Sequence, residues 1–123
     1  MTILYNGVDL VEIKRFEDLN PRILTRFTNR VYTSFEIEIC EGNVRCLAGR
    51  FAAKEAVSKA LGTGIGKIRW QEIEILRGES GQPLLHLHGR AQEIAQAKGI
   101  TGWALSISHG KEIAIAFVVA IGI

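Results

Sequence analysis

Two carboxylates stand where apolar side chains are expected. The stretch Leu47 to Gly66 reads LAGRFAAKEAVSKALGTGIG. At about 100° per residue a helix puts Val44, Leu47, Ala48, Phe51 and Leu61 on one arc, and Glu55 falls inside it, as the helical neighbour of Phe51 and Ala52. Lys54 and Lys59 flank it. An ionised glutamate buried alone is very costly, so Glu55 has to be neutral, paired or bound to a metal. Asp9 is the second such group. In Ile3 to Ile13, ILYNGVDLVEI, a period of two places Ile3, Tyr5, Gly7, Asp9, Val11 and Ile13 on one face of a strand. Gly7 removes a side chain from that face and lets a ligand or another backbone approach. The alternative is a strand end or bulge that tips Asp9 into water.

Asp9 and Glu55 are suited to a hard divalent cation. Mg²⁺ takes oxygen ligands, typically one or two carboxylates, with waters and substrate phosphate completing the octahedron. Lys54 and Lys59 suit phosphate oxygens, and Gly62, Gly64 and Gly66 lie immediately beyond them. A glycine-rich turn can present successive N–H groups to a phosphate, or can simply connect two elements. It follows a helix here, so a dinucleotide fingerprint is excluded. The set points to chemistry on a phosphate or diphosphate ester. A glycosidase-like carboxylate pair is the formal competitor, and the two lysines disfavour it. His109 closes an apolar row at the lip of a turn, where a histidine is usually structural; with two stray carboxylates elsewhere a functional role gains weight.

The elements that must position these residues follow from the pattern. Ile3–Ile13 is a strand. From Lys14 to Arg30, Phe16, Leu19, Ile23, Leu24 and Phe27 form an approximate helical stripe, with a new helix starting at Pro21. Its polar side carries Lys14, Arg15, Arg22, Arg26 and Arg30 against Glu17 and Asp18, a basic surface suited to an acidic protein, a polyanion or a membrane, although such runs are more commonly an ordinary solvated face. Thr33 and Glu36 fit a capping box for a short helix to Cys40. Gly62 is a C-terminal stop for the long helix. Glu72–Arg77 and Leu84–Leu87 form a hairpin around Glu79–Pro83, followed by a helix over His88–Lys98 with Ala91, Ile94 and Ala95 buried. His86 and His88 share a strand face as surface residues. Trp103–His109 and Ile113–Ile121 are the final strands, joined by Gly110-Lys111 as a II′ turn. The last strand reads as buried on both faces, with Ala114, Ala116 and Ala120 admitting a helix.

Composition sets the frame. The chain has 123 residues, 47% hydrophobic and 23% charged, with a formal net charge of +2, which suits one compact domain over 1–123. Cys40 and Cys46 are too few for a disulfide scaffold, and no further ligand completes a zinc set, so both read as packed free thiols of a cytosolic protein. No secretory leader or membrane-spanning run is visible, which implies a cytoplasmic location. The near-balanced charge gives no indication of a nucleic-acid partner.

Gly7-Val8-Asp9, the block from Phe51 to Lys59 (FAAKEAVSK), Gly62-Thr63-Gly64-Ile65-Gly66 and Ser106-Ile107-Ser108-His109 together resemble the holo-[acyl-carrier-protein] synthases, small members of the 4′-phosphopantetheinyl transferase superfamily. The resemblance runs in order through almost the whole chain. It implies an α+β fold, an antiparallel sheet packed on a long central helix, assembled as a homotrimer with sites between subunits. It also implies transfer of 4′-phosphopantetheine from coenzyme A to a serine of apo-acyl carrier protein, releasing adenosine 3′,5′-bisphosphate, in fatty acid biosynthesis. By that match Asp9 and Glu55 bind Mg²⁺, Lys59 faces the leaving phosphate, Lys54 holds the diphosphate, and His109 together with Gly62, Gly64 and Gly66 contributes to the coenzyme A site. Arg15, Arg22 and Arg26 dock the acidic carrier protein. Gly110 and the short Cys40–Arg45 segment depart from the family's pattern. Two other readings compete: a binding module using the basic helix for RNA or another anion, which lacks aromatic interleaving, and an inactive enzyme-like domain, which the intact Asp9, Glu55, Lys59 and His109 set argues against.

Overall fold

In the computed structural model, which describes residues 1–123, the chain runs β1 (Ile3–Glu12), α1 (Lys14–Glu17), α2 (Pro21–Val31), α3 (Ser34–Cys40), α4 (Val44–Leu61), β2 (Ile73–Arg77), β3 (Pro83–Leu87), α5 (Gly89–Ala97), β4 (Ile100–His109) and β5 (Ile113–Gly122). A 3₁₀ turn, Trp70–Glu72, precedes β2. Strands β1, β5 and β4 form an antiparallel sheet in that order, and β2 pairs with β3 in a separate antiparallel hairpin. The fold is α+β, with the three-stranded sheet against the long helix α4.

The local signals explain the boundaries. Asn20 caps α2 by accepting from the Arg22 amide at 2.8 Å, with Pro21 at the first helical position. Thr33 and Glu36 close the expected capping box at α3. Asn43 accepts from the amides of Arg45 and Cys46 at 2.9 and 3.1 Å and opens α4, and Gly62, at φ 78°, stops it. Helix α4 is covered on most sides. Its alanines (Ala48, Ala52, Ala53, Ala56, Ala60) are all buried, and so are Ala114, Ala116 and Ala120 of the facing strand β5. Small residues on both surfaces bring helix and sheet backbones close, while larger groups such as Tyr32, Phe16, Ile73 and Ile75 fill the far side of the helix.

Three expectations need correction. First, β5 is buried on one face only. Ile113, Ile115, Phe117 and Ile121 are 38–48% exposed, because they alternate with the alanines and no element of the chain lies over them. Leu4, Val8 and Leu10 of β1 continue this apolar surface through the pairs Leu4–Ile121, Val8–Phe117 and Leu10–Ile115. Second, the β4–β5 turn is shifted by one residue. Its tip is Lys111-Glu112, flanked by Gly110 and Ile113, whose N–H and C=O are joined at 3.0 Å. Gly110 does not occupy a left-handed conformation. Third, Cys40 and Cys46 are not free thiols: they form a disulfide. Glu41-Gly42-Asn43, with Glu41 left-handed at φ 47°, folds the end of α3 back onto the first turn of α4. The two Cα atoms come to 5.4 Å, well within bridging distance.

Candidate active site

Gly7 sets the position of the first carboxylate. A Cβ placed there would lie 1.9 Å from the carbonyl oxygen of Ala56, so strand β1 crosses α4 in backbone-to-backbone contact. The glycine thus admits another backbone, one of the two alternatives its position in the strand allowed. Asp9, two residues on and on the same face, then lies beside the helix turn carrying Glu55 and Lys59. Gly7→Ala is expected to destabilise the protein by about 3 kcal/mol or more, the upper range for overpacking, as read by urea unfolding. A loss below about 1 kcal/mol would mean the strand can lift off the helix freely.

Lys59 links strand to helix. Its Nζ donates to Val8 O at 2.9 Å and to Asp9 Oδ1 at 3.1 Å. The lysine side chain is 52% exposed and that of Asp9 is 20% exposed, so the pair opens to solvent. Glu55, one helical turn before Lys59, is half-buried. Burial, and next the negative charge of Asp9, push its carboxyl above the ordinary glutamate value, while Lys59 opposes them. The structure therefore brings Asp9, Glu55 and Lys59 together, and Asp9 is not tipped away by a bulge. Two carboxylates that repel each other across a partly desolvated space have the chemistry of a cation site. No third His, Cys, Asp or Glu joins them. That donor set fits Mg²⁺, which keeps several waters and takes substrate oxygens.

Other sequence-predicted residues lie elsewhere. Lys54 does not face a phosphate. It is fully buried, and its Nζ donates to Glu36 Oε1 at 2.7 Å, Trp70 O at 3.1 Å and Ile73 O. All three ammonium protons are thus used, on α3, the 3₁₀ turn and β2. Nor do the glycines after α4 form an amide cradle. The Gly62 amide donates to Lys59 O, those of Thr63 and Gly64 to Ser58 O, and that of Gly66 to Ile68 O. Gly62 and Gly64 take positive φ of 78° and 63° because the chain must fold back over the helix end to make these bonds. His86 is exposed, and the ring of His88 bonds Glu74 Oε1 at 3.0 Å.

His109 is exposed at the end of β4. Ala116 pairs with Asp9 on one side and with Ile107 on the other, so His109 is separated from Asp9 by the full width of β5, roughly 10 Å at ordinary strand spacing. It lines an open cavity of ≈ 170 Å³ with Cys46, Gly49, Arg50, Arg77, Gly81, Pro83 and Ile107. The sequence pattern gives no sign of Arg50 and Arg77 as site residues. Arg50 is 7% exposed, with its Nε donating to Ile75 O at 2.9 Å and its Nη1 to Cys46 Sγ at 3.2 Å. Burial, then the neighbouring charge of Arg77, lowers its pKa. Two arginines and a histidine on the wall of one cavity give it the chemistry to receive an anion. Nothing in the sequence spacing pairs Arg50 with Arg77, because the two meet only when β2 packs on α4.

Arg15, Arg22 and Arg26 are all exposed on α1 and α2. Arg15 stands on the rim of an apolar groove lined by Val11, Phe16, Leu19, Ile23, Phe27 and Phe51. No helix is long and apolar enough to cross a membrane.

The sequence pattern of the 4′-phosphopantetheinyl transferase superfamily matches residues 6–118. The chain is 45% identical to a holo-[acyl-carrier-protein] synthase of Herpetosiphon aurantiacus, an alignment covering 98% of this chain and 100% of the relative. It superposes on the crystal structure of the Helicobacter pylori holo-[acyl-carrier-protein] synthase in complex with coenzyme A with a TM-score of 0.84, at 36% identity over 94% of this chain and 98% of that one. A Bacillus anthracis holo-(acyl-carrier-protein) synthase, solved in complex with coenzyme A (3′,5′-ADP), gives a TM-score of 0.80 at 36% identity over the full length of both. With the superfamily pattern spanning residues 6–118 and relatives alike in sequence, fold and length, this chain belongs to the holo-[acyl-carrier-protein] synthases of the 4′-phosphopantetheinyl transferase superfamily.

Proposed function

We propose that this chain, acting as one domain, transfers the 4′-phosphopantetheine group of coenzyme A to a serine hydroxyl of apo-acyl carrier protein, for fatty acid biosynthesis. The observation that carries the reading is the convergence of Asp9, Glu55 and Lys59 where β1 crosses α4. In the reaction the serine oxygen forms a bond to the phosphorus that bears the pantetheine arm. The bond from that phosphorus to the bridging diphosphate oxygen breaks, and adenosine 3′,5′-bisphosphate leaves with the electron pair. The serine proton passes to a carboxylate or an ordered water. Mg²⁺, when bound at Asp9 and Glu55, supplies neutralising charge for the diphosphate. Lys59, bonded to Asp9 and open to solvent, is the cation available to face the leaving phosphate. Arg50, Arg77 and His109 accept another phosphate group of coenzyme A in their cavity. The test is intact-mass spectrometry of an apo-carrier protein incubated with this chain, coenzyme A and Mg²⁺. A mass gain of one phosphopantetheine group that chelator abolishes supports the reading, and no gain refutes it.

Assembly as a homotrimer follows from the same reading. The carboxylate–lysine group lies at the β1 edge of the sheet and the arginine–histidine cavity at the β4 edge, so a neighbouring copy can bring the second group of one site to the first of another. The outer sheet face carries Leu4, Val8, Leu10, Ile115, Phe117 and Ile121 in the open, a contiguous apolar surface of the kind that marks an interface. Burying it against neighbouring copies joins the two half-sites. Phe117→Arg is expected to yield monomers with little transfer activity, read by light scattering and turnover. An active monomer would contradict the interface role.

The basic surface of α1 and α2 receives the carrier protein in the cytoplasm. Arg15, Arg22 and Arg26 steer an acidic partner, and the apolar groove beside Arg15 takes an apolar side chain from it. Arg15→Glu is expected to weaken carrier-protein affinity by about tenfold, with coenzyme A affinity unchanged by calorimetry. Equal loss of both affinities would mean that docking occurs elsewhere.

A further inference from the structure

Cys46 belongs to two features at once. It is bonded to Cys40, and its sulfur accepts a hydrogen bond from Arg50 Nη1 at 3.2 Å. Cys46, Arg50, Arg77 and His109 line the arginine cavity. A second hollow shares Cys46, Arg77 and His109 and adds Cys40 and Glu41. Half of a disulfide carries no charge. A free Cys46 would sit in the first turn of α4, whose amides already draw the oxygen of Asn43, with a guanidinium against its sulfur. Helix N-terminus and arginine both favour the thiolate. Around it the ionisable groups are Arg50, Arg77, His109 and Glu41, and only Glu41, an exposed side chain, opposes that effect. A thiolate at Cys46 pairs with Arg50 and removes one unit of positive charge from the cavity, in direct competition with an arriving phosphate.

We infer that the Cys40–Cys46 pair is a redox switch on anion binding: the closed bridge leaves Arg50 and Arg77 to bind phosphate groups of coenzyme A, and the opened bridge withdraws Arg50 from them. The inference rests on the proposed reading of the cavity as a coenzyme A phosphate site. Opening requires a dithiol. Its thiolate attacks the sulfur of Cys46, the more accessible partner since Cys40 is 3% exposed, and the S–S bond breaks with Cys40 leaving as a thiolate that takes a proton. The second thiol of the reductant then attacks its own sulfur in the mixed disulfide and releases Cys46 as a thiolate. The reductant ends as a disulfide, two electrons poorer.

The experiment is isothermal titration of coenzyme A into the full-length protein, air-oxidised or reduced with a dithiol, with free thiols counted by alkylation and mass. The oxidised form should show no alkylatable thiol, and its Kd for coenzyme A should rise roughly three- to tenfold on reduction, the scale of one charge-assisted hydrogen bond partly open to solvent. Two variants separate charge from mere cross-linking. Cys40→Ser leaves a permanent thiolate beside Arg50 and should bind as weakly as the reduced protein. Cys46→Ser has no bridge and no thiolate there, and should bind more tightly than Cys40→Ser. Equal weakening in both variants, equal Kd in the two redox forms, or two free thiols in the oxidised protein would each overturn the switch while leaving the coenzyme A site standing. Absence of coenzyme A binding in either form would overturn that site and the switch together.

Discussion

Glu55→Gln is expected to lower transfer to the carrier protein by about 10²–10³-fold, the scale for removing one electrostatic contact from a transition state, with the fold intact. The substitution keeps the size of a half-buried side chain and removes the charge that Asp9 repels. Its effect on stability has a defined sign. Glu55 is pushed above the ordinary value of 4.5, first by burial and then by Asp9, so its ionisation is harder in the folded state than in the unfolded chain. Its stabilising contribution is complete below the ordinary carboxylate pKa and is lost as pH rises through the raised one. At neutral pH the glutamine variant should therefore melt no lower than the parent. A fully active variant, or an inactive one that has lost its melting transition, would contradict this account of Glu55.

Lys54→Met is the largest expected structural loss. Lys54 and Glu36 form an ion pair at 2.7 Å with both side chains fully buried. Glu36 also accepts from the Thr33 amide at 2.9 Å through Oε1 and from the Ile75 amide at 2.8 Å through Oε2. The pair thus ties α3, α4, the 3₁₀ turn and the hairpin to one point. Removing one partner leaves a buried, uncompensated carboxylate, which costs about 3–5 kcal/mol. Urea unfolding should show that loss, and adding Glu36→Gln should restore part of it, since the double variant buries no lone charge. A loss below about 1 kcal/mol would mean that water or another cation reaches Glu36 readily.

What was legible in the sequence was local or periodic. The capping box at Thr33 and Glu36, the start of α2 at Pro21 and the stop at Gly62 depend on residues within one helical turn of each other. The strand period placed Asp9 and Gly7 on one face, and the helical period put Glu55 on the apolar arc. The unread features depend on distant partners. Lys54 looked like a phosphate ligand because its counterion lies 18 residues away and its other acceptors are backbone carbonyls. Arg50 and Arg77 share a cavity only through the packing of β2 on α4. The Cys40–Cys46 bridge follows from the left-handed turn at Glu41, a conformation that a glutamate does not advertise. The outer face of β5 reads as core because its isoleucines are apolar, and nothing in one chain's pattern distinguishes a face covered by its own helix from one left open.

The convergence of Asp9 and Glu55 on one cation beside a diphosphate is most directly tested by anomalous diffraction from crystals grown with coenzyme A and Mn²⁺ in place of Mg²⁺. A single manganese peak bonded to carboxylate oxygens of both residues and to the diphosphate is the predicted result. A manganese ion seated elsewhere, with coenzyme A bound and these two carboxylates left to Lys59 alone, would contradict it.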